Sequence, residues 1–236
     1  MAQSVGNAKN IQVGASPLFL SNVDINDSDY IANAEAGVAI ASGATTVGVP
    51  AFAPGVSYAS TLNTVNQTAG LFGYRNVGFT NNGLQITYNP TFDSVTVDQL
   101  LDTAKLFKSA MEVMIATEMS EGTLENIVTV FGQSSSTLSA VTGTSTTTKQ
   151  ELGLAAGSLG AAPTERQLIA VGQAPTAGST SSERVYYARR VLSVQQSQHS
   201  LARTTATTFP VTFRLLPDAN YSGSEYGKII DRVLVV

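Results

Sequence analysis

Only one residue of the chain carries the side chain most often used for acid–base catalysis, the histidine His199. It lies in the polar run "QQSQHSLA", which contains no acidic residue, and the chain contains no cysteine. A catalytic triad is defined by the geometry of its partners around the imidazole, and no partner is visible nearby in the sequence. We therefore interpret His199 as an ordinary surface histidine.

A second candidate is the acidic segment "DINDSDYIANAE", which begins at Asp24. Asp24, Asn26 and Ser28 follow the alternate-residue spacing of a calcium-binding loop, and Glu35 stands at the twelfth position. The sixth position, which needs glycine for a sharp turn, is Asp29, and no helical pattern flanks the segment. We interpret it as a solvated acidic turn and expect no metal site.

The glycine-containing motifs do not match loops that carry a phosphate or a nucleophile. "GLAAGSLG" lacks the Lys-Ser/Thr pair of a phosphate loop and the spacing of a dinucleotide loop, and its "GSLG" misses the nucleophile-elbow pattern. Gly227 and Lys228 are followed by Ile229 rather than by Ser or Thr. None of the 17 acidic residues lies in a recognisable acid–base setting. The sequence thus predicts no catalytic residue, no cofactor and no enzyme activity.

The run "YYARR", Tyr186 to Arg190, has side chains that can contact phosphates or stack on bases. On an alternating strand, however, its two tyrosines face opposite sides of the sheet, and so do its two arginines. Cross-strand pairing within a sheet is therefore the preferred interpretation of this run.

Composition narrows the class of protein further. The chain of 236 residues is long enough for one sizeable core, and its charged fraction of 13% is about half of ordinary usage. The net charge of −4 gives no overall basic surface for holding nucleic acid. No segment approaches the length of a membrane span, and the N-terminus lacks an apolar leader, so we expect a protein made and folded in a cytoplasm.

Alternating apolar and polar residues predict a mainly β chain. A first strand pair is expected within residues 1–25, from "IQVG" and "PLFLSNVDI", and further strands at "DSVTVDQ", "RQLIAVGQ", "RVYYARRVLSVQQSQHSLA", "FPVTFRLLPDAN" and "YGKIIDRVLVV". The triplet "NNG", Asn81 to Gly83, lies between "NVGF" and "LQITY" and predicts a hairpin turn. Regions 37–70 and 134–182 are interpreted as loop-rich insertions in one domain that spans residues 1–236.

The segment from Phe107 to Met119 predicts a long strand with two different faces. One face is mostly apolar and contains Phe107, Met111, Val113, Ile115 and Met119. The other face carries the charged residues Lys108, Glu112 and Glu118, together with Ala110, Met114 and Ala116. A helix over the same segment would mix these two sets of side chains.

The following segment, "GTLENIVTVFG", predicts a short helix from Thr123 to Phe131. Thr123 is a suitable N-cap, Glu125 complements the helix dipole, and Gly132 occupies the left-handed position expected after the helix. An apolar stripe is expected from the spacing of Leu124, Ile127, Val128 and Phe131. So short a helix is not stable alone, and it must dock this stripe on a sheet.

Three stretches together resemble the tail tube (major tail) proteins of tailed bacteriophages. They are "GLQITYNPTFDSVTVDQLLDTAKLFKSAMEVMIATEMSEGTLENIVTVFG", "RVYYARRVLSV" and "FPVTFRLLPDANYSGSEYGKIIDR". In order and spacing they are similar to that family's core strands and helix, to its following strand and to its closing strand. Regions 37–70 and 134–182 lie outside the resemblance.

The resemblance implies a β-sandwich or barrel flanked by one α-helix at about 123–131. It implies hexameric rings stacked into a hollow tube, through which DNA and the tape-measure protein pass during genome ejection. The implied partners are further copies of the chain, the tail terminator and baseplate proteins, and a sheath protein if the tail contracts; no membrane partner is implied. The implied location is the virion tail, assembled in the cytoplasm of a bacterial host.

A strand with two different faces suits the wall of such a tube, because one face can pack on a core while the other borders a wet channel. We hypothesise that Asp98, Lys108, Glu112 and Glu118 face the lumen. Acidic groups there would repel phosphates, so the duplex would not be held by cation–phosphate contacts. The helix stripe would have a structural role, covering the sheet on the outer side.

Two alternatives stay open at this point. A capsid-decoration or other head-associated protein would share the β-rich composition without a reactive site. A tail-terminator or baseplate ring protein would share the tube fold. Polymerisation into long tubes would distinguish the tail tube from these alternatives, which predict trimers or single rings.

Overall fold

The described part of the chain is mainly β, as the alternating sequence pattern predicts. The structure is a computed structural model, and it describes residues 16–21, 24, 52, 55–67, 74–99, 102–134, 137–142, 148–154, 156, 159–160, 162–175, 182–195, 198–199, 203 and 206–234. The predicted strand "IQVG", nearly all of residues 37–54 and the acidic segment beyond Asp24 lie outside these residues.

Ten strands and two helices make up the described chain. Their bounds, in chain order, are β1 (Leu18–Ser21), α1 (Tyr58–Gln67), β2 (Tyr74–Asn76), β3 (Thr80–Thr96), β4 (Thr103–Met119), α2 (Leu124–Val130), β5 (Leu138–Thr142), β6 (Thr148–Leu152), β7 (Arg166–Gln173), β8 (Ser182–Ser193), β9 (Phe209–Leu215) and β10 (Gly227–Val233). The strands expected around Phe107–Met119 and in the C-terminal half are confirmed as β4, β7, β8, β9 and β10.

Eight of these strands form one antiparallel sheet in the order β2-β1-β7-β8-β9-β4-β3, with β10 paired to β8. One edge of β8 is shared, because its first part pairs with β10 and its last residues pair with β9. Side chains of β4 and β9 share one core with side chains of β1 and β7. The sheet therefore folds over on itself to enclose this core.

The strands β1 and β7 are buried on both faces, which explains their nearly continuous apolar sequence. On one face, Leu18 and Leu168 belong to the core shared with β4 and β9. On the opposite face, Phe19 and Ile169 belong to a second cluster that includes Tyr58 of α1. The centre of the fold thus has three layers, with β1 and β7 in the middle.

The helix α1 corrects the expectation of a single helix and of a loop-rich insertion over 37–70. Tyr58 and Leu62 of α1 are fully buried against the sheet. The first turn is capped by a distant side chain: the Glu183 carboxylate accepts the Tyr58 N–H at 2.9 Å and the Ser57 hydroxyl at 3.0 Å. Arg232 pairs with the same carboxylate at 2.9 Å. This cap comes from β8, so the local sequence cannot reveal it.

The helix α2 agrees with the prediction in its ends and differs in its buried face. The Thr123 hydroxyl accepts the Asn126 N–H at 3.3 Å, and Gly132 has the expected left-handed φ of 66°. Of the predicted stripe, Val128 is buried, whereas Leu124 and Ile127 are half-buried and Phe131 is 41% exposed. The buried residues are Asn126, Val128, Thr129 and Val130. The stripe prediction is therefore wrong for Phe131 and incomplete for the rest.

Polar contacts explain the orientation of α2. The Asn126 amide donates to the Val77 carbonyl at 2.9 Å and to the Glu121 carbonyl at 2.8 Å, and its oxygen accepts from Arg75. Arg75 also donates to the Thr129 hydroxyl at 3.1 Å. Burial, with the Arg166 guanidinium as the next cause, lowers the pKa of Arg75 to about 10, so the group stays protonated at neutral pH. Because buried polar groups need partners, this network directs Asn126 and Thr129 inward.

The region 134–182 holds more regular structure than the prediction of a loop-rich insertion allowed. β5 and β6 pair as a separate hairpin from Leu138↔Leu152 to Thr142↔Thr148. This hairpin lies beside α2, and the Gln150 amide donates to the Glu125 carboxylate at 3.3 Å. The strand predicted at "RQLIAVGQ" is confirmed as β7, near the centre of the sheet.

Replacing the buried amide of α2 tests its docking. We expect Asn126→Ala to lower the free energy of unfolding by about 3 kcal/mol, because the buried Val77 carbonyl, the half-buried Glu121 carbonyl and the Arg75 guanidinium each lose a partner. Asn89→Ala, which removes an exposed amide on β3, should change it by less than about 0.5 kcal/mol. Urea unfolding followed by far-ultraviolet circular dichroism measures both. Equal effects of the two variants would contradict the assigned role of Asn126.

Candidate functional site: a projecting β-hairpin

The strands β3 and β4 form a hairpin that extends beyond the core. Each strand has seventeen residues, and the pairing runs from Thr80↔Met119 to Thr96↔Thr103. At about 3.3 Å per residue the hairpin is about 55 Å long. All residues in 91–99 and 102–110 are exposed. We call residues 91–110 the arm, and its exposure means that no described element of the chain covers either of its faces.

The predicted turn at "NNG" is wrong. Asn82 and Gly83 have the expected left-handed φ values of 60° and 66°, but they lie in a bulge inside β3 rather than between two strands. Pairing skips from Asn81↔Glu118 to Gln85↔Ala116, and the Thr117 hydroxyl donates to the Gly83 carbonyl at 2.9 Å. Left-handed φ values can close a hairpin turn. Here they form a bulge, in which the extra residues of β3 have no paired residue on β4.

A second bulge at Ser109 changes which residues share a face. Thr91 pairs with Ala110 and Phe92 with Lys108, so Ser109 has no opposite residue. Directly opposed residues project to the same side of an antiparallel pair. Lys108 therefore shares a face with Phe92, and its ammonium lies 5.8 Å from the centre of the Tyr88 ring.

This bulge corrects the predicted alternation from Phe107 to Met119. Lys108 lies on the core-side face, and Phe107 lies on the face of Glu112 and Glu118. Asp98 lies in the turn at the tip of the arm rather than on a strand. Of the four residues predicted to face one channel, only Glu112 and Glu118 share a sheet face.

Below the arm, the hairpin has one buried face and one accessible polar face. Val113 and Ile115 of β4 are buried in the core, and the intervening residues point the opposite way. We call this opposite side the polar face; it contains Gln85, Thr87, Asn89, Glu112, Met114, Ala116, Glu118, Thr212 and Arg214. Glu112 lies 3.7 Å from Arg214, and the Glu118 carboxylate accepts from the Asn81 amide at 3.2 Å. Two carboxylates against one guanidinium leave this surface sparsely and slightly negatively charged.

Large apolar side chains project from both faces of the arm. Phe92 and Leu106 are 56% and 64% exposed on the core-side face, which continues to Tyr88 at 65%. Val95 and Phe107 are exposed on the other face. A two-stranded ribbon alone is marginally stable in water, and contiguous exposed apolar surface marks a contact site. The arm therefore leaves large apolar side chains uncovered by the described chain.

The outer edge of β3 adds a second unsatisfied surface. β3 is the last strand of the sheet order, and no strand of the described chain pairs with its outer edge. A long edge strand presents a row of free N–H and C=O groups that readily pairs with another strand. The hairpin thus combines an open edge, an arm with exposed apolar side chains on both faces, and one polar face below the arm.

The side chains that the sequence offered as candidate reactive groups make contacts within the fold. His199 lies half-buried between the rings of Phe209, at 4.8 Å, and Phe131, at 6.4 Å, rather than in a polar surface run. Arg190 pairs with Glu165 at 2.7 Å. The Arg189 guanidinium stacks 3.3 Å from the centre of the Tyr221 ring. These contacts favour a structural interpretation of "YYARR".

Within the residues that the structure describes, no three His, Cys, Asp or Glu side chains come together to hold a metal ion. No helix of these residues is long and apolar enough to cross a membrane. The carboxylate of Asp24, at the start of the acidic segment, accepts the N–H of Glu165 at 3.3 Å. The rest of the calcium-like spacing lies outside the described residues.

No protein-family model matches the sequence, and no curated protein matches it either. The candidate site is therefore defined by the geometry of the β3–β4 hairpin.

In the dissociated subunit, substitutions on the arm and in the core should change the free energy of unfolding by different amounts. We expect Phe92→Thr and Leu106→Thr to change the free energy of unfolding by less than about 0.5 kcal/mol, because these side chains contact no described core residue. Ile115→Ala on the same hairpin should lower it by about 3 kcal/mol by leaving a cavity. Chemical unfolding at low protein concentration provides the comparison. A loss at Phe92 as large as that at Ile115 would show that the arm packs on its own chain.

Proposed function

We propose that the protein is a structural subunit of a phage tail tube, assembled as stacked hexameric rings. The observation that carries the proposal is the β3–β4 hairpin, whose arm is exposed and carries large apolar side chains on both faces. In a monomeric protein, an exposed ribbon of this kind would lower both stability and solubility. Burial between copies of the chain removes this cost.

The polar face supports the position of the hairpin in the assembly. In the proposed tube the core-side face of β4 is covered by the subunit's own core, and the polar face borders the channel. Glutamine, threonine, asparagine and alanine side chains give that face a wettable surface without a dense charge. Such a surface lets a polyanion and an extended protein move past with few strong contacts.

Charge supports the same orientation. Glu112 is balanced by Arg214, whereas Glu118 contacts the neutral Asn81 amide, so each copy contributes a small negative excess. Binding of DNA depends mainly on cationic groups that release counterions from the phosphates. A slightly negative wall is suited to passage of the viral DNA and the tape-measure protein during genome ejection.

Ring closure accounts for the open edge of β3. A sheet edge that pairs with the neighbouring copy stops presenting free backbone groups, and a closed barrel has no edges. Copies arranged head-to-tail around an axis achieve this with one repeated contact. The tail terminator, the baseplate and, in a contractile tail, the sheath are the remaining proposed partners, and the virion tail is the proposed location.

Electron microscopy of the purified chain tests the proposal directly. We expect the full chain, when concentrated, to form long hollow tubes. A variant in which residues 91–110 are replaced by Asn-Gly, a two-residue turn suited to a hairpin, should fold with similar stability and form none. Single rings of the full chain would instead support a terminator or baseplate protein. Trimers would support a head-associated protein.

The polar face is tested by reversing one charge. We expect virions carrying Glu118→Lys to assemble tails but to eject DNA severalfold more slowly, because each ring then presents lysines to the phosphates. Glu151→Lys, the same change at an exposed residue of β6, should leave ejection unchanged. Dye binding to released DNA measures the rate. Normal ejection from Glu118→Lys tails would remove the polar face from the channel.

A further inference from the structure

An apolar groove lies beside the base of the arm. It has a volume of about 200 Å³ and runs between the hairpin, at Ile86 and Tyr88, and the start of β10, at Ile229. Val113 and Leu215 contribute to its floor. Tyr88 and Ile229 are each 65% exposed, so the described residues leave this surface open to solvent.

A close backbone approach holds β10 beside this groove. Gly227 has a φ of 142°, and a Cβ atom there would lie 1.9 Å from the Tyr187 carbonyl oxygen. Only glycine allows β10 to begin at this point against β8. The strand then places the exposed side chain of Ile229 along one side of the groove.

The groove and the arm match in apolar character. Phe92 and Leu106 project from the core-side face of the arm, on the same side of the hairpin as Tyr88. They cannot fill the groove of their own copy, because Phe92 lies four residues beyond Tyr88 on one strand, about 13 Å further out. Only another copy can bring these side chains to the groove.

The charges around the two surfaces are also complementary. The arm carries Asp93, Asp98 and Asp102 against Lys105 and Lys108, and of these Asp98 and Asp102 lie at its tip. At the groove, Lys228 lines the wall and Lys108 extends over Tyr88, with Glu225 as the acid close to Lys108. An acidic tip that approaches a slightly basic groove is favoured in the encounter.

We propose that the groove of one copy receives the arm of a second copy, with Phe92 and Leu106 seated against Tyr88, Val113 and Ile229. The inference rests on the proposed function in requiring self-assembly, and it names the contact. Arm and groove are different surfaces, so the contact is heterologous and repeats around a ring or along a filament. A symmetric contact between two arms would leave the groove empty and bring the acidic tips together.

Cross-linking between engineered cysteines tests the pairing, because the chain has no cysteine of its own. Leu106→Cys and Ile229→Cys proteins are mixed under assembly conditions and treated with a short bis-maleimide. We expect a covalent dimer in the mixture, at severalfold higher yield than in either variant alone. Val95→Cys, on the opposite face of the arm, mixed with Ile229→Cys is the matched control and should give a low yield.

The outcomes separate this inference from the proposed function. Cross-linking of Leu106→Cys with itself at equal yield would show arm-to-arm contact and overturn the inference. Tubes that form without the mixed cross-link would overturn it while leaving the tail-tube proposal intact. A mixed cross-link in assemblies other than tubes would support the inference and contradict the proposed function.

A charge placed in the groove gives an independent measurement. We expect Ile229→Glu to weaken self-association by about tenfold or more, because the new carboxylate meets apolar side chains and an acidic tip. Val233 is also exposed and lies four residues after Ile229 on the same side of β10. Val233→Glu should associate like the wild type. Sedimentation velocity over a concentration series measures both, with circular dichroism to verify folding. Equal association of both variants would exclude the groove as the docking site.

Discussion

The structure depends on one mismatch, between the length of the β3–β4 ladder and the size of the core available to cover it. Backbone hydrogen bonds hold the two strands together along their full length, whereas Val113 and Ile115 give them a core only near the base. In the remaining ribbon, the backbone groups between the two strands are hydrogen-bonded, but the side chains on both faces are exposed. The open edge and the exposed apolar side chains on the same hairpin are the features on which the proposed assembly function rests.

The rest of the fold provides a rigid base for this ribbon. β1 and β7 are covered on both faces, and the two helices are attached to the sheet through buried polar groups. Glu183 joins the start of α1 to β8, and Asn126 joins α2 to the strand segment around Arg75 and Val77. Buried ionic and amide contacts add little net stability, but breaking one partner is costly, so they specify how the helices sit. A chain with few charges thus uses several of them for orientation in the interior.

Local signals were sufficient for those parts of the fold whose causes are local. The alternation from Phe107 to Met119 predicted a strand that is present as part of β4, and the cap and terminal glycine around α2 predicted both of its ends. α1 was missed because its cap, Glu183, comes from a distant strand. The inward face of α2 was missed because Asn126 is buried by its contact with Arg75, which lies on β2. For the site, sequence alone predicted a two-faced strand, but the bulge at Ser109 reversed the side on which Lys108 lies, and no sequence pattern announced it.

The two bulges also have a mechanical consequence. A plain ladder with repeated threonine and asparagine could slide by two residues and keep the same sides outward. Asn82–Gly83 on one strand and Ser109 on the other fix the register, since sliding would move each bulge opposite residues that are now paired and would break their ladder hydrogen bonds. The length by which the arm extends beyond the core is therefore the same in every copy. In any ordered array of copies, an arm of constant length would set a constant spacing between the copies that it joins.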